Sequence, residues 1–91
     1  MYLHLGGDTV VQQNDIIGIF DLEKSTISSK TRAFLTEAEK SGKIINVSAE
    51  LPKSFVVSQN STAETVYICQ LLPGTLMKRA AQMIEEGERK E

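Results

Sequence analysis

The feature that most constrains the fold is the shortness of the apolar runs, which are rich in β-branched residues and separated by turn-forming residues. MYLHL and TVVQ flank GGD, whose glycines suit a tight turn, so residues 2–12 are predicted to form a β-hairpin. DIIGIFD follows as a third strand that is too short for an independent helix. Gly18 at its centre predicts a bulge or the close approach of another backbone.

Two longer segments have the composition and spacing of helices. Good helix formers dominate residues 28–41, and Gly42 directly after them suits a left-handed C-cap. A second helix is predicted over residues 75–86, with apolar residues on one broad side and Gly87 at its end.

Between these helices, KIINVS, SFVVS and TVYICQL have β character. Pro52 lacks an amide donor and restricts Leu51, so a loop is predicted there rather than a continuing strand. SFVVS and TVYICQL pair most simply as an antiparallel hairpin. The sequence therefore predicts one α+β domain over residues 1–91, with a small, mainly antiparallel sheet of about six short strands and two helices in the order β-β-β-α-β-β-β-α.

The core available to such a fold is thin. The 91 residues are 41% hydrophobic but only 5% aromatic, and tryptophan is absent. A domain of this size buries a modest fraction of its apolar surface, and association between copies adds to that burial. We therefore expect a homo-oligomer.

The compartment is indicated by what the sequence lacks. No apolar run approaches the ~20 residues that span a bilayer, and the N-terminus has no basic region followed by an apolar stretch. Cys69 is the only cysteine, so no internal disulfide can form. Its place within TVYICQL predicts a buried thiol that acts as a small hydrophobic side chain. We expect a cytoplasmic protein with no membrane contact.

Patterns typical of catalysis or metal binding are nearly absent. His4 alternates with Leu3 and Leu5, so its ring is expected on the opposite face from both, at the surface or at an interface. No Cys/His spacing offers a metal site, and LGGDTV is too short for a phosphate-binding glycine motif. Asp8 and Asp15 are interpreted as solvated acids near turns. The sequence predicts no enzyme, and no cofactor, metal or small-molecule ligand.

The net charge of -2 hides an uneven distribution. Residues 1–23 carry four acidic and no basic residues, whereas residues 24–53 carry six basic residues against three acidic ones. Lys30, Arg32 and Lys40 lie in the first predicted helix, and Lys43 follows it. Two interpretations stay open. These residues form either a solvated face, with Lys40 near the negative end of the helix dipole, or phosphate contacts that an oligomer multiplies.

The order of several short motifs resembles a known family. The motifs are Y-x-H-L-G, D-I-x-G-I-F-D, P-K-S-x-V-V and L-x-K-R-A, within residues 1–86. Together they resemble the small Rem-type extracellular-matrix regulators of Gram-positive bacteria, and the match is nearest to the B branch of that family. The resemblance implies a regulator of biofilm matrix genes. In the A branch, such a regulator is a DNA-binding transcriptional activator that assembles into rings.

The resemblance also implies where DNA contacts lie. The DNA-contacting arginines of the A branch fall on Asp15, Leu51 and Pro52 here, and none of these is basic. Lys53 is the basic residue left in that loop, and it becomes the leading candidate for a nucleic-acid contact. The auxiliary candidates are Lys43, Arg32 and Lys30.

Two functions follow from these observations. The leading hypothesis is an oligomeric DNA-binding regulator of matrix gene expression, whose lysines position the duplex without reading its sequence. The alternative is an oligomeric interaction or adaptor module that does not bind DNA. The missing arginines and the acidic N-terminal block favour the alternative.

Overall fold

A computed structural model describes the backbone of residues 2–48 and 50–89, and the side chains of this part of the chain as far as Ala81. The strands and helices of this part are β1 (Tyr2–Gly6), β2 (Thr9–Gln12), β3 (Ile16–Asp21), α1 (Leu22–Ser25), α2 (Ser29–Lys40), β4 (Ile44–Asn46), β5 (Ser54–Gln59), β6 (Glu64–Cys69) and α3 (Pro73–Arg89). A 3-10 turn at Gln13–Asp15 links β2 to β3. The predicted α+β class and the order of its main elements are confirmed.

The helices differ from the prediction in three details. The one-turn helix α1 lies where the sequence predicted only a break, and the Asp21 carboxylate caps it by accepting a hydrogen bond from the Lys24 amide at 2.9 Å. Helix α3 begins at Pro73, because the fixed φ of proline suits the first turn of a helix. It continues to Arg89, so the prediction that Gly87 ends it is wrong.

The strands form two sheets. The β1–β2 hairpin stands alone, and its turn uses Gly6 and Gly7 at φ values of 133° and 52°. The other sheet has the order β3-β5-β6-β4. Its β3–β5 and β5–β6 pairs are antiparallel, and the second of these pairs confirms the predicted hairpin. Strand β4 instead pairs with β6 in parallel. Strands β3 and β4 are therefore the two edges of this sheet, and they run in the same direction.

Strand β5 lies at the centre of two hydrophobic clusters, one on each face of the four-stranded sheet. On one face, Val56 belongs to the hairpin-side cluster, whose other buried members are Leu3, Leu5, Val11, Cys69 and Leu76. On the other face, Phe55 and Val57 belong to the α2-side cluster, which is completed by Ala38 and Val66. The alternation of strand side chains explains this division, because successive residues point to opposite faces.

Gly18 makes room for an aromatic pair at the edge of the sheet. The register between β3 and β5 shifts between Ile16 and Gly18, which confirms the predicted bulge. A Cβ atom at position 18 would lie 2.6 Å from two ring atoms of Phe20. That ring in turn stacks on Phe55 at a centroid separation of 4.9 Å. A side chain at position 18 would therefore displace the ring from the stack.

We predict that Gly18→Ala destabilises the fold by roughly 1–2 kcal/mol, because Phe20 must leave its stacked position. The same substitution in a Phe20→Ala background is expected to be neutral or slightly stabilising, since alanine lowers the entropy of the unfolded chain. Urea unfolding of the four proteins at one protein concentration measures this cycle. An equal cost in both backgrounds would contradict the role assigned to the ring.

Candidate nucleic-acid interface

Lys53 is held by its backbone at one end of the four-stranded sheet. Its amide donates to the carbonyl of Cys69 at 2.8 Å, and its carbonyl accepts from the amide of Leu22 at 3.0 Å. These bonds fix the residue between the end of β6 and the start of α1. The side chain is exposed, so the ammonium group is presented to solvent from an ordered backbone.

Two further lysines lie at this end of the sheet. Lys24 and Lys78 line one surface cleft with Asp21, Leu72 and the first residues of α3. The cleft lies at the same end as Lys53, because Asp21 pairs with Ser54 and the hydroxyl of Ser54 donates to the carbonyl of Leu71 at 2.7 Å. We call Lys24, Lys53 and Lys78 the lysine end of the molecule.

The lysine end also contains acidic groups. The carboxylate of Asp21 is engaged at the start of α1, where it compensates the positive end of that short helix. Glu50 is exposed, and its Oε2 accepts a hydrogen bond of 2.7 Å from Nε2 of Gln70. The local field is therefore a mixture of charges rather than a continuous basic surface. A single copy offers few cations to a polyanion.

The four candidates from the sequence do not form one cluster. Lys43 immediately precedes β4, whereas Lys53 immediately precedes β5. Because β4 is parallel to β6 and β5 is antiparallel to it, the two lysines lie at opposite ends of the sheet. Lys30 lies elsewhere again, where it lines an apolar groove with Ile17 and Glu64.

Arg32 has a structural role. Its Nη1 donates to the carbonyls of Thr26 and Ile27 at 2.6 and 2.9 Å. These carbonyls belong to the turn between α1 and α2, so the guanidinium group closes that turn. A phosphate would have to compete with both bonds or use the remaining nitrogens.

The positions that match the A-branch arginines are also divided between the two ends. Leu51 and Pro52 are exposed beside Lys53, and Leu51 is 79% exposed. Asp15 closes the 3-10 turn before β3, at the opposite end of the sheet. The loop that carries Lys53 therefore presents one cation next to an apolar side chain.

Sequence reasoning did not single out Lys24 or Lys78 as contacts. Lys24 lies in the segment interpreted as a break, and Lys78 lies in the second predicted helix. Neither position has a local pattern that distinguishes it from an ordinary surface lysine. The two residues share a cleft although β4, β5 and β6 lie between them along the chain, and no periodicity encodes that proximity.

The histidine considered for metal binding makes a contact within its own hairpin. His4 is exposed, as predicted, and its Nε2 lies 2.7 Å from the carbonyl oxygen of Gly7 across the hairpin turn. Among the residues that the structure describes, no group of three His, Cys, Asp or Glu side chains is arranged to hold a metal ion. No helix in that part of the chain is long and apolar enough to cross a membrane.

Cys69 is fully buried, as predicted, in the hairpin-side cluster. Burial raises the pKa of its thiol from 9.0 to about 11, and a hydrogen bond with Ser54 opposes part of that rise. The thiol is therefore protonated at neutral pH. It lacks the thiolate character and the exposure that a nucleophile needs.

Two comparisons with known proteins cover most of the chain. A model of the RemA-like family, described as Extracellular matrix regulatory protein A-like, matches residues 2–80. Extracellular matrix regulatory protein B of Bacillus subtilis (strain 168) is 40% identical over 85 residues, which is 93% of this chain and 96% of that protein. The family match includes both sheets and the lysine end.

The raised pKa of Cys69 predicts a loss of stability in alkali. Between pH 9 and about 11 the unfolded chain releases the thiol proton while the folded chain keeps it, so the free energy of unfolding falls as pH rises. Below pH 9 this contribution is fully present. Urea unfolding across this range should show a shallower decline for Cys69→Ala than for the parent chain. Parallel profiles would contradict the assignment.

Proposed function

Because this chain belongs to the RemA-like family of extracellular matrix regulatory proteins, we propose that it regulates the expression of matrix genes by binding DNA as a homo-oligomer. Its action is regulatory rather than catalytic, and it takes place in the cytoplasm, where the DNA is. The proposal that the chain binds DNA is supported by the lysine end. There Lys24 and Lys78 line one cleft, and the backbone of Lys53 is bonded to the first residue of α1 at the same end of the sheet.

The chemistry of the lysine end suits a phosphate backbone. A lysine ammonium is a compact point charge that binds phosphate oxygens without distinguishing bases. Such contacts position a duplex and release its counterions, so affinity depends steeply on salt. Lys43, Arg32 and Lys30 stay auxiliary candidates. Lys43 lies at the opposite end of the sheet, Arg32 is bonded to the turn after α1, and Lys30 lines a separate groove.

Self-association supplies what a single copy lacks. With a net charge of -2, one copy carries more acidic than basic residues, and Asp21 and Glu50 accompany the lysines of this end. Several copies that present their lysine ends to one duplex raise the effective concentration of each later contact. The exposed apolar side chains support association, since they include Ile17 at 60% and Ile45 at 45% exposure. A closed ring is the form that we propose for the assembly.

A second function is favoured by a specific observation. The positions that match the A-branch arginines hold Asp15, Leu51 and Pro52, and Leu51 is 79% exposed. An exposed apolar residue in that loop suits contact with a protein better than contact with a phosphate backbone. The alternative is therefore an oligomeric adaptor that binds another protein and no DNA.

We predict that Lys53→Glu and Lys78→Glu each weaken binding to a random-sequence duplex, because each replaces an attractive charge beside the phosphates by a repulsive one. The slope of log affinity against log salt should become shallower by roughly one in each variant, since one fewer phosphate is neutralised. Fluorescence anisotropy with a salt titration measures both quantities. All variants should keep the far-ultraviolet circular dichroism of the parent chain.

Lys40→Glu is the matched control, since this exposed lysine ends α2 near the start of β4, away from the lysine end. Its binding should stay close to that of the parent chain. An equal decrease in affinity for all three variants would show a nonspecific charge effect and would contradict the assigned site. No binding at low salt by an oligomeric sample would favour the adaptor.

A further inference from the structure

Both edges of the four-stranded sheet are open in the described part of the chain. Strand β3 is bonded only to β5, and β4 only to β6. Within residues 2–48 and 50–89, no backbone hydrogen bond from a loop or turn reaches the outer side of either strand. An open strand edge is a template for pairing with another chain unless something covers or blunts it.

The β3 edge is suited to pairing over only part of its length. The bulge at residues 16–18 twists its first half, which discourages pairing there. From Gly18 to Asp21 the strand keeps a regular register against β5. This regular stretch is one residue longer than β4, which spans Ile44–Asn46. Each edge therefore offers a short ladder.

Exposed apolar side chains accompany both edges. On β3, Ile17 is 60% and Phe20 is 40% exposed, and both line a groove against α2. On β4, Ile45 is 45% exposed. These side chains give each edge an apolar surface that a partner strand would remove from water.

The charges at the two edges are complementary. Asp15 immediately precedes β3 and Asp21 ends it, whereas Lys43 immediately precedes β4. An antiparallel pairing of β3 with a second β3 would bring Asp15 towards Asp21, which is repulsive. A parallel pairing of β3 with β4 brings Asp15 and Lys43 to the same end, which is attractive.

We propose that strand β3 of one copy pairs in parallel with strand β4 of the next copy. This inference rests on the proposed self-association and assigns its surface. The contact is head-to-tail, so each copy uses one edge and leaves the other edge for a further copy. Such an interface forms a ring where the rotation between copies closes.

This arrangement has a consequence for the lysine end. Strands β3 and β4 run in the same direction, so a parallel contact preserves the strand direction from copy to copy. The lysine ends of neighbouring copies then lie along one rim of the assembly. The interface uses Lys43 at the opposite end and leaves Lys24, Lys53 and Lys78 exposed.

The test uses two opposite charge reversals. Asp15→Lys and Lys43→Asp should each weaken self-association at least tenfold, because each places like charges across the interface. Mixing the two variants in equal amounts should restore assembly, since each altered edge then faces an edge of opposite charge. Sedimentation velocity measures the masses, and circular dichroism verifies the fold of each variant.

Lys78→Glu is the matched control, because it makes a comparable charge change at the other end of the sheet. It should leave the mass unchanged while it weakens DNA binding. Should Asp15→Lys fail to fold, Asp15→Asn retains the shape of the side chain and should weaken association by a smaller factor. Ile45→Asp provides an independent disruption of the β4 edge and should have a larger effect.

The outcomes separate the inference from the proposed function. If the parent protein is oligomeric and both charge-reversal variants have the same mass as the parent, the proposed interface is wrong and self-association still stands. Variants that fail to assemble when mixed would also overturn it. A parent protein that stays monomeric at high concentration would overturn both the interface and the oligomer of the proposed function, whereas DNA binding is judged separately by anisotropy.

Discussion

Strand β5 is the constraint on which the rest of the structure depends. Its residues from Ser54 to Ser58 are buried, and its apolar side chains alternate between the two clusters. Val56 packs with the hairpin and α3, whereas Phe55 and Val57 pack beneath α2. A central strand that is covered on both faces joins two thin layers of core into one cooperative unit. Neither layer is large enough to be stable without it.

The same strand positions the lysine end. Lys53 precedes β5, Asp21 pairs with its first residue, and the hydroxyl of that residue bonds to the chain just before α3. The start of α1, the loop of Lys53 and the start of α3 are therefore fixed relative to one another. A lysine on an ordered backbone loses less conformational freedom on binding than one on a mobile loop. The thin core thus still provides a preorganised surface.

Local patterns predicted most of the elements but little of their arrangement. The hairpin at residues 2–12, the helix α2 and the bulge at Gly18 each follow from residue types within a short window. The parallel pairing of β4 with β6 does not, since β5 intervenes along the chain. Because that pairing sets the direction of β4, it also decides that Lys43 and Lys53 lie apart. The charge run at residues 24–53 could not reveal this separation.

Arg32 illustrates a different limit of sequence reasoning. Its charge made it a candidate for phosphate, yet its Nη1 closes the turn after α1 through two carbonyls. A guanidinium group has several donors in a fixed plane, so it serves as readily for backbone carbonyls as for phosphate. Only the local geometry distinguishes these uses. The sequence around Arg32 is compatible with both.

The distribution of charge between the two ends resolves a conflict in the proposed function. Association through opposite charges would consume the cations that DNA requires if both used one surface. In the proposed assembly, Asp15 and Lys43 lie at one end of the sheet, whereas Lys24, Lys53 and Lys78 remain at the other. Added salt screens both sets of charges, but the apolar contacts of Ile17 and Ile45 would be retained. Salt should therefore release DNA before it dissociates the oligomer.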